Sequence, residues 1–213
     1  HGPLQARQQQ LMSAIRRRLG IWAASAVLIL AGGFIWLATT DTPQQIAQRV
    51  VQSKGIGQPF NLVDHNGNPI TEKAFEGSPT AVFFGFTHCP EVCPTTLYEM
   101  AAWLETLGPD GEPIKAFFIT VDPERDTPEI MKSYVSNFSD RIVGITGKPD
   151  EIAELAKSWH VYWKKIPLES GDYTMDHTAS VFLIDAKGKF KSTIAFREST
   201  ETAVAKLKKL VSR

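Results

Sequence analysis

The sequence predicts an α/β domain with a mixed central sheet and flanking helices, preceded by one N-terminal transmembrane helix. Two continuous apolar runs of strand length, residues 80–86 and 116–121, are typical of strands that are covered on both faces. A helical pattern follows each run, and strands that alternate with helices indicate a largely parallel sheet. A hairpin pattern near the C-terminus makes that sheet mixed.

The transmembrane helix is predicted from residues 19–40, an uncharged stretch rich in Ile, Leu, Val and Ala. At about 1.5 Å per residue, this stretch is long enough as a helix to cross a bilayer core of about 30 Å. Arg16, Arg17 and Arg18 precede it and Asp41 follows it, which predicts a cytoplasmic N-terminus and an exported C-terminal side. A cleaved signal peptide is the alternative, but the apolar region of such a peptide is usually only about 7–15 residues long.

Four segments follow from this topology. Residues 1–18 form a basic N-terminal segment on the cytoplasmic side, and we interpret its first three residues, His-Gly-Pro, as an expression remnant. Residues 19–40 are the anchor, residues 41–58 a polar tether and residues 59–213 the exported domain. We therefore expect a single-pass protein of an inner, cytoplasmic-type membrane, with its domain in the periplasm or an equivalent space.

Charge is distributed unevenly along the chain although the formal total is +0. Residues 1–40 contain four arginines and no acidic residue, so the remainder carries 19 basic and 23 acidic residues, a formal charge of −4. No basic stripe with interleaved aromatic residues lies in that remainder. Nucleic acid is therefore not an expected partner.

The first half of the exported domain is predicted to contain a hairpin, a central strand and a helix. The turn pair Asn66-Gly67 lies between two short apolar runs, which is a strong hairpin signal. The central strand at residues 80–86 is followed by a helical pattern that starts at Thr95 and ends at Gly108, with an apolar face of Leu97, Met100, Ala101, Leu104 and Leu107.

The second half continues the alternation of strands and helices. After the strand at residues 116–121, Thr127 is the predicted N-cap of a helix with Pro128 at its first position, whose buried face is Ile130, Met131, Tyr134 and Phe138. A short strand at residues 142–145 and a helix from residue 148 to Trp159 follow. A hairpin with a Lys187-Gly188 turn and a basic helix over residues 200–211 end the domain.

The two cysteines of the chain lie in the segment Cys89-Pro90-Glu91-Val92-Cys93, directly after the central strand and at the start of a helix. Ligands in open α/β sheets collect at the carboxyl ends of strands, and a helix N-terminus stabilises a thiolate. Residues four apart on a helix are about 5 to 6 Å apart at Cβ, so both sulfurs can reach one metal ion or each other. The pair therefore suits dithiol, disulfide and metal-bound states.

Two thiolates suit Cu(I), and an added imidazole can also hold Cu(II). Among the five histidines, His177 is the strongest third ligand by elimination, because Asp176-His177 precedes the strand at Ser180 and a loop there can bring it over the cysteines. A surface histidine is the alternative. Zinc is disfavoured because a structural zinc site takes four ligands. A plain disulfide is the alternative for the cysteines, although so small a loop gains little stability from a bridge.

These motifs resemble the Sco/SenC family, copper-binding accessory proteins of cytochrome c oxidase assembly. The similarity spans roughly residues 56–212 and is carried, in the family's order, by residues 84–94 (Phe-Gly-Phe-Thr-His-Cys-Pro-Glu-Val-Cys-Pro), 120–128 (Thr-Val-Asp-Pro-Glu-Arg-Asp-Thr-Pro) and 176–179 (Asp-His-Thr-Ala). The resemblance implies a thioredoxin-like fold, an N-terminal membrane anchor, and copper, as Cu(I), Cu(II) or both, held by Cys89, Cys93 and His177.

The resemblance also implies partners and a role. It implies that the protein is mainly a metallochaperone that matures the binuclear copper centre of cytochrome c oxidase subunit II, by delivering copper, by reducing cysteines or both, with a copper-donating chaperone as a second partner. The competing hypothesis is a membrane-anchored thiol-disulfide oxidoreductase of thioredoxin or peroxiredoxin type, in which Cys89 and Cys93 are a redox pair and copper is incidental. We expect Asp122 and Asp126 to be near-site loop residues that form a turn, with Arg125 paired locally, or that dock a partner.

Overall fold

The computed structural model describes residues 58–212 as an α/β fold around a seven-stranded mixed sheet. The strands of this sheet are β1 (Asn61–Asp64), β2 (Pro69–Thr71), β3 (Thr80–Gly85), β4 (Lys115–Thr120), β5 (Ile142–Thr146), β8 (Ser180–Ile184) and β9 (Phe190–Ala195). A separate two-stranded sheet contains β6 (Trp163–Pro167) and β7 (Tyr173–His177). The helices are α1 (Val92–Leu107), α2 (Pro128–Val135), α3 (Pro149–Ser158) and α4 (Thr200–Val211), with short 3-10 helices at Glu72–Phe75 and Gly108–Gly111.

The order of strands in the large sheet is β2-β1-β5-β4-β3-β8-β9. Strands β3, β4 and β5 are parallel, whereas the outer strands join antiparallel, which confirms the prediction of a mixed sheet. All six residues of β3 are buried, as the continuous apolar run predicts. The loops after β3 and β4 and the start of β8 therefore meet at one edge of the sheet.

Local sequence signals explain several element boundaries. The Asn66-Gly67 turn joins β1 to β2, with Gly67 at a φ of +81° that a side chain rarely adopts. The Thr127 hydroxyl accepts a hydrogen bond from the backbone N–H of Ile130, which confirms the predicted N-cap of α2. The prediction that Ile130 is buried is wrong, since it is 41% exposed. Met131 is buried as predicted, and Val135 is the second buried residue of α2.

Two elements differ from the sequence prediction in ways that affect the site. Helix α1 begins at Val92, three residues before the predicted start, so Cys93 lies in its first turn. The β6–β7 hairpin was not predicted, because the adjacent Lys164 and Lys165 break the alternation of apolar and polar residues. His177 is therefore the last residue of a strand and not part of a loop.

Within residues 58–212, no helix combines the length and the apolar character needed to cross a bilayer. The predicted anchor at residues 19–40, the segment before it, and the tether apart from its last residue lie outside the described part of the chain.

Candidate metal centre

Cys89 and Cys93 lie where strand β3 passes into helix α1. Cys93 is fully buried and Cys89 is partly exposed, and the backbone N–H of Cys93 donates a hydrogen bond of 3.4 Å to the Cys89 sulfur. Gly85, the last residue of β3, permits this close approach of helix and strand. A Cβ at Gly85 would lie 2.7 Å from the Cys93 sulfur and 2.7 Å from a ring carbon of Phe118.

The two cysteines are not joined by a disulfide, and the structure shifts their pKa values in opposite directions. A hydrogen bond from the Cys93 side chain lowers the pKa of Cys89 to about 4, against the opposing effect of partial burial, and the backbone N–H of Cys93 assists. Burial raises the pKa of Cys93 well above its usual value. The pair therefore carries one negative charge at neutral pH, on the Cys89 sulfur, and Cys93 remains the proton donor.

His177 faces the cysteines from the end of β7. Its Nε2 lies 3.5 Å from the Cys93 sulfur, and its Nδ1 lies 3.0 Å from the carbonyl oxygen of Thr178. A carbonyl can only accept, so Nδ1 carries the proton and Nε2 keeps its lone pair toward the sulfurs. The ring also packs edge-on against Phe86, with centroids 5.7 Å apart.

The structure thus brings all three predicted site residues together. The two sulfurs and one imidazole nitrogen lie within 4.8 Å of one another. Two soft thiolate ligands and one imidazole fit copper, and Cu(I) in particular, better than a hard cation. A structural zinc site takes four ligands, and the cluster found within residues 58–212 has three.

The other described histidines have different surroundings. Nδ1 of His88 lies 3.1 Å from the Thr87 hydroxyl, and its side chain is about half exposed at 49%. His65 Nδ1 accepts a hydrogen bond from the backbone N–H of Gly144, and His160 is an exposed residue with a positive φ of 55° after helix α3. His177 is therefore the described histidine that joins the two cysteines.

Asp126 is a supporting residue whose role the sequence did not indicate. Its side chain is fully buried and accepts hydrogen bonds from the Thr87 backbone N–H, the Thr87 hydroxyl and the Thr120 hydroxyl. Burial raises the pKa of this carboxyl although the three hydrogen bonds oppose the shift. Asp126 thus fixes the loop that leads to Cys89. Asp122 pairs with Arg125, and this confirms the expected local pair.

Comparison with known proteins agrees with this geometry. A family model described as SCO1/SenC matches residues 40–212, which is well over half of the chain. The chain belongs to the SCO1/SenC family. SCO1/SenC relatives include the mitochondrial protein SCO2 of Saccharomyces cerevisiae, 34% identical over 200 residues that cover 89% of this chain and 66% of the relative. The human mitochondrial SCO1 homolog is 34% identical over 182 residues that cover 79% of this chain and 60% of the relative. The chain thus spans slightly less than two thirds of these relatives.

Solved SCO1/SenC structures share the fold. The structure of Bradyrhizobium japonicum ScoI with copper bound matches at 49% identity and a TM-score of 0.68, covering 73% of this chain and 99% of that one. Arabidopsis thaliana ScoI with copper bound matches at 35% identity and a TM-score of 0.70, covering 74% and 98%. Yeast Sco1 with copper bound gives 36% identity and a TM-score of 0.69, covering 74% and 89%. The predicted thioredoxin-like fold of this family is confirmed for the described domain.

Proposed function

We propose that this protein is a copper-binding chaperone in the assembly of cytochrome c oxidase, and that it supplies the binuclear copper centre of subunit II. The observation that carries the proposal is the cluster of Cys89, Cys93 and His177, which presents two sulfurs and one imidazole nitrogen within 4.8 Å of one another. Copper is here the cargo. Relatives of known structure that are 35% to 49% identical hold copper, which supports the same metal in this chain.

The three ligands differ in what must happen before they can bind the metal. The Cys89 thiolate is a ligand without further change at neutral pH, whereas Cys93 must lose its proton. Copper binding therefore releases the Cys93 proton to solvent or to the copper donor. The hydrogen bond from His177 Nδ1 to Thr178 holds the imidazole in the tautomer that ligates through Nε2.

Partial exposure of Cys89 suits the transfer of cargo. Cys93 is fully buried, so a partner's thiolate can approach the metal only from the side of Cys89 and His177. A soft metal can then pass by exchange of one ligand at a time, without release into water. We propose that a copper-donating chaperone and the oxidase subunit use this approach in turn.

The proposed topology places this site outside the membrane. Residues 1–18 lie on the cytoplasmic side, residues 19–40 span an inner, cytoplasmic-type membrane, and residues 41–58 tether the 59–213 domain in the periplasm or an equivalent space. Arg16, Arg17 and Arg18 before the apolar stretch support this orientation. Several relatives are named as mitochondrial proteins, which is consistent with a membrane system that contains the oxidase.

A second candidate function is thiol-disulfide exchange, which the low pKa of the partly exposed Cys89 favours. The Cys89 thiolate would attack a target disulfide and release one target thiolate. Cys93 would then lose its proton and attack the mixed disulfide, leaving a Cys89–Cys93 disulfide and a reduced target. The reduction potential of the pair and turnover on an oxidised subunit II peptide measure this activity.

Copper titration of the reduced chain tests the main proposal. We expect the wild type to bind one Cu(I) under anaerobic conditions in competition with a chelator, and the Cys89→Ala, Cys93→Ala double variant to lose that binding. Equal copper affinity in the wild type and the double variant would overturn the proposal, even if thiol-disulfide turnover were found.

A further inference from the structure

His177 depends on a hairpin that is not part of the main sheet. Strands β6 and β7 pair only with each other among the described strands, whereas the cysteines lie beside fully buried β3. The position of the imidazole relative to the two sulfurs is therefore not fixed by hydrogen bonds of the large sheet. It is fixed by the link from His177 to β8, which begins at Ser180, by ring contacts with Phe83 and Phe86, and by the side-chain contacts of the hairpin.

The strongest of these contacts join the hairpin to the loop at residues 122–126. The Tyr173 hydroxyl donates a 2.9 Å hydrogen bond to Asp122, and Arg125 Nη1 donates a 3.0 Å hydrogen bond to the Tyr173 carbonyl oxygen. The Arg125 guanidinium also lies 3.8 Å from the centroid of the Tyr173 ring and pairs with Asp122. We call Asp122, Arg125 and Tyr173 the Arg125 cluster.

The charged pair of the Arg125 cluster is mostly buried, so solvent screens it less than a surface ion pair. The side chain of Asp122 is 2% exposed and that of Arg125 is 17% exposed. Hydrogen-bonded charge pairs in such surroundings are costly to break, because the remaining partner is left without compensation. Lys165 adds an ion pair with Glu124 at 2.9 Å, but its side chain is 43% exposed and its contribution is correspondingly small.

Contacts continue from the Arg125 cluster to the imidazole. Tyr173 and His177 lie on the same face of β7, because side chains alternate along a strand. The Arg125 guanidinium is 6.0 Å from the centroid of Phe86, and Phe86 is the buried ring that packs edge-on against His177. The same loop ends at Asp126, which holds the Thr87 end of the cysteine loop.

We propose that the Arg125 cluster positions His177: it holds the β6–β7 hairpin against the 122–126 loop and so keeps the imidazole within reach of both cysteines. The positioning role itself does not depend on copper. Its expected consequence, a larger loss of Cu(II) affinity than of Cu(I) affinity when the role is removed, rests on the proposed copper function. Cu(I) is satisfied by the two thiolates, whereas Cu(II) gains more from the imidazole nitrogen. The competing explanation is that the base of the hairpin suffices, through the hydrogen bonds between Tyr162 and Thr178.

The test uses Arg125→Ala and Tyr173→Phe in the full chain, with Lys157→Ala as the control. Lys157 is an exposed cationic side chain on helix α3. We expect Arg125→Ala to weaken Cu(II) binding about tenfold or more while Cu(I) affinity changes less than about twofold, a range typical for residues that orient metal ligands. Arg125→Lys keeps the charge but not the planar donor set, so we expect only partial rescue.

A copper-free readout separates this proposal from the proposed function. We expect amide hydrogen exchange at residues 173–177 to become about tenfold faster in Arg125→Ala, to accelerate less in Tyr173→Phe, and to stay unchanged in Lys157→Ala. Unchanged exchange and unchanged Cu(II) affinity in Arg125→Ala would overturn the positioning role. If the wild type bound no copper, the exchange data alone would still decide it. If Arg125→Ala failed to fold, Tyr173→Phe would decide it by the same two measurements.

Discussion

The two halves of the candidate metal centre are built in different ways. The cysteine half consists of β3 and the first turn of α1, where Cys93 is fully buried and Gly85 allows the helix to contact the sheet. The histidine half is the end of a two-stranded hairpin outside the large sheet, three residues before β8 begins at Ser180. The sulfurs thus lie on elements that belong to the large sheet or pack directly on it, whereas the imidazole, on our proposal, depends in addition on the contacts of the hairpin.

This difference assigns different chemistry to each half. A rigid dithiol keeps its affinity for Cu(I) and its capacity for disulfide exchange whether or not the histidine is in place. A ligand on a separately held hairpin can adjust when the metal is oxidised or transferred.

The largest effect is expected for Asp126→Ala. The substitution leaves the Thr87 N–H, the partly buried Thr87 hydroxyl and the buried Thr120 hydroxyl without their acceptor, which we expect to lower the free energy of unfolding by about 3 kcal/mol or more. Asp140→Ala, an exposed aspartate, is the control and should change stability by less than about 0.5 kcal/mol. Urea denaturation measures both, and an equal effect of the two variants would contradict a supporting role of Asp126.

Gly85→Ala should have the next largest effect. The new methyl group would overlap with the Cys93 sulfur and the Phe118 ring, so we expect a loss of about 1–3 kcal/mol in unfolding free energy and weaker copper binding. Combining it with Cys93→Ala removes one of the two overlaps. The stability loss from Gly85→Ala should therefore be smaller in the Cys93→Ala background. Strictly additive losses would contradict a steric overlap between the new methyl group and the Cys93 sulfur.

The lowered pKa of Cys89 predicts how the alkylation of this cysteine depends on pH. A lowered pKa means that the Cys89 thiolate persists above about pH 4 and is lost only as the pH falls through that value. Alkylation of the reduced, copper-free protein should thus be nearly constant between pH 8 and about pH 5 at Cys89, and slow throughout at buried Cys93. Mass spectrometry of the alkylated peptides resolves the two sites. A midpoint near pH 9 for Cys89 would contradict the assigned charge.

The smallest effect is expected for Arg197→Ala. The Arg197–Glu91 pair spans 2.7 Å, but both side chains are about two-thirds exposed, at 70% and 66%. Exposed ion pairs contribute only about 0–1 kcal/mol. Thermal unfolding should therefore show little change. A loss comparable to that of Gly85→Ala would mean that the surface beside the cysteines also holds α1 in place.

The sequence predicts both the cysteines and their structural setting, whereas it identifies His177 but not the hairpin that carries it. Burial on both faces gives β3 a continuous apolar run, and the cysteines follow it directly, so local pattern and position agree. His177 lies 84 residues from Cys93 in sequence and depends on a hairpin stabilised by distant contacts. No local pattern shows which of two nearby aspartates, Asp122 or Asp126, holds the cysteine loop.

The most direct test of the central claim compares Cu(I) and Cu(II) affinity in His177→Ala. His160→Asn is the control, since asparagine tolerates the positive φ of that exposed position. We expect His177→Ala to lose about tenfold or more in Cu(II) affinity, with its thiolate-to-copper charge-transfer absorption altered, while Cu(I) affinity and Cys89 alkylation remain near those of the wild type. An unchanged Cu(II) affinity, or an equal loss for both oxidation states, would contradict it.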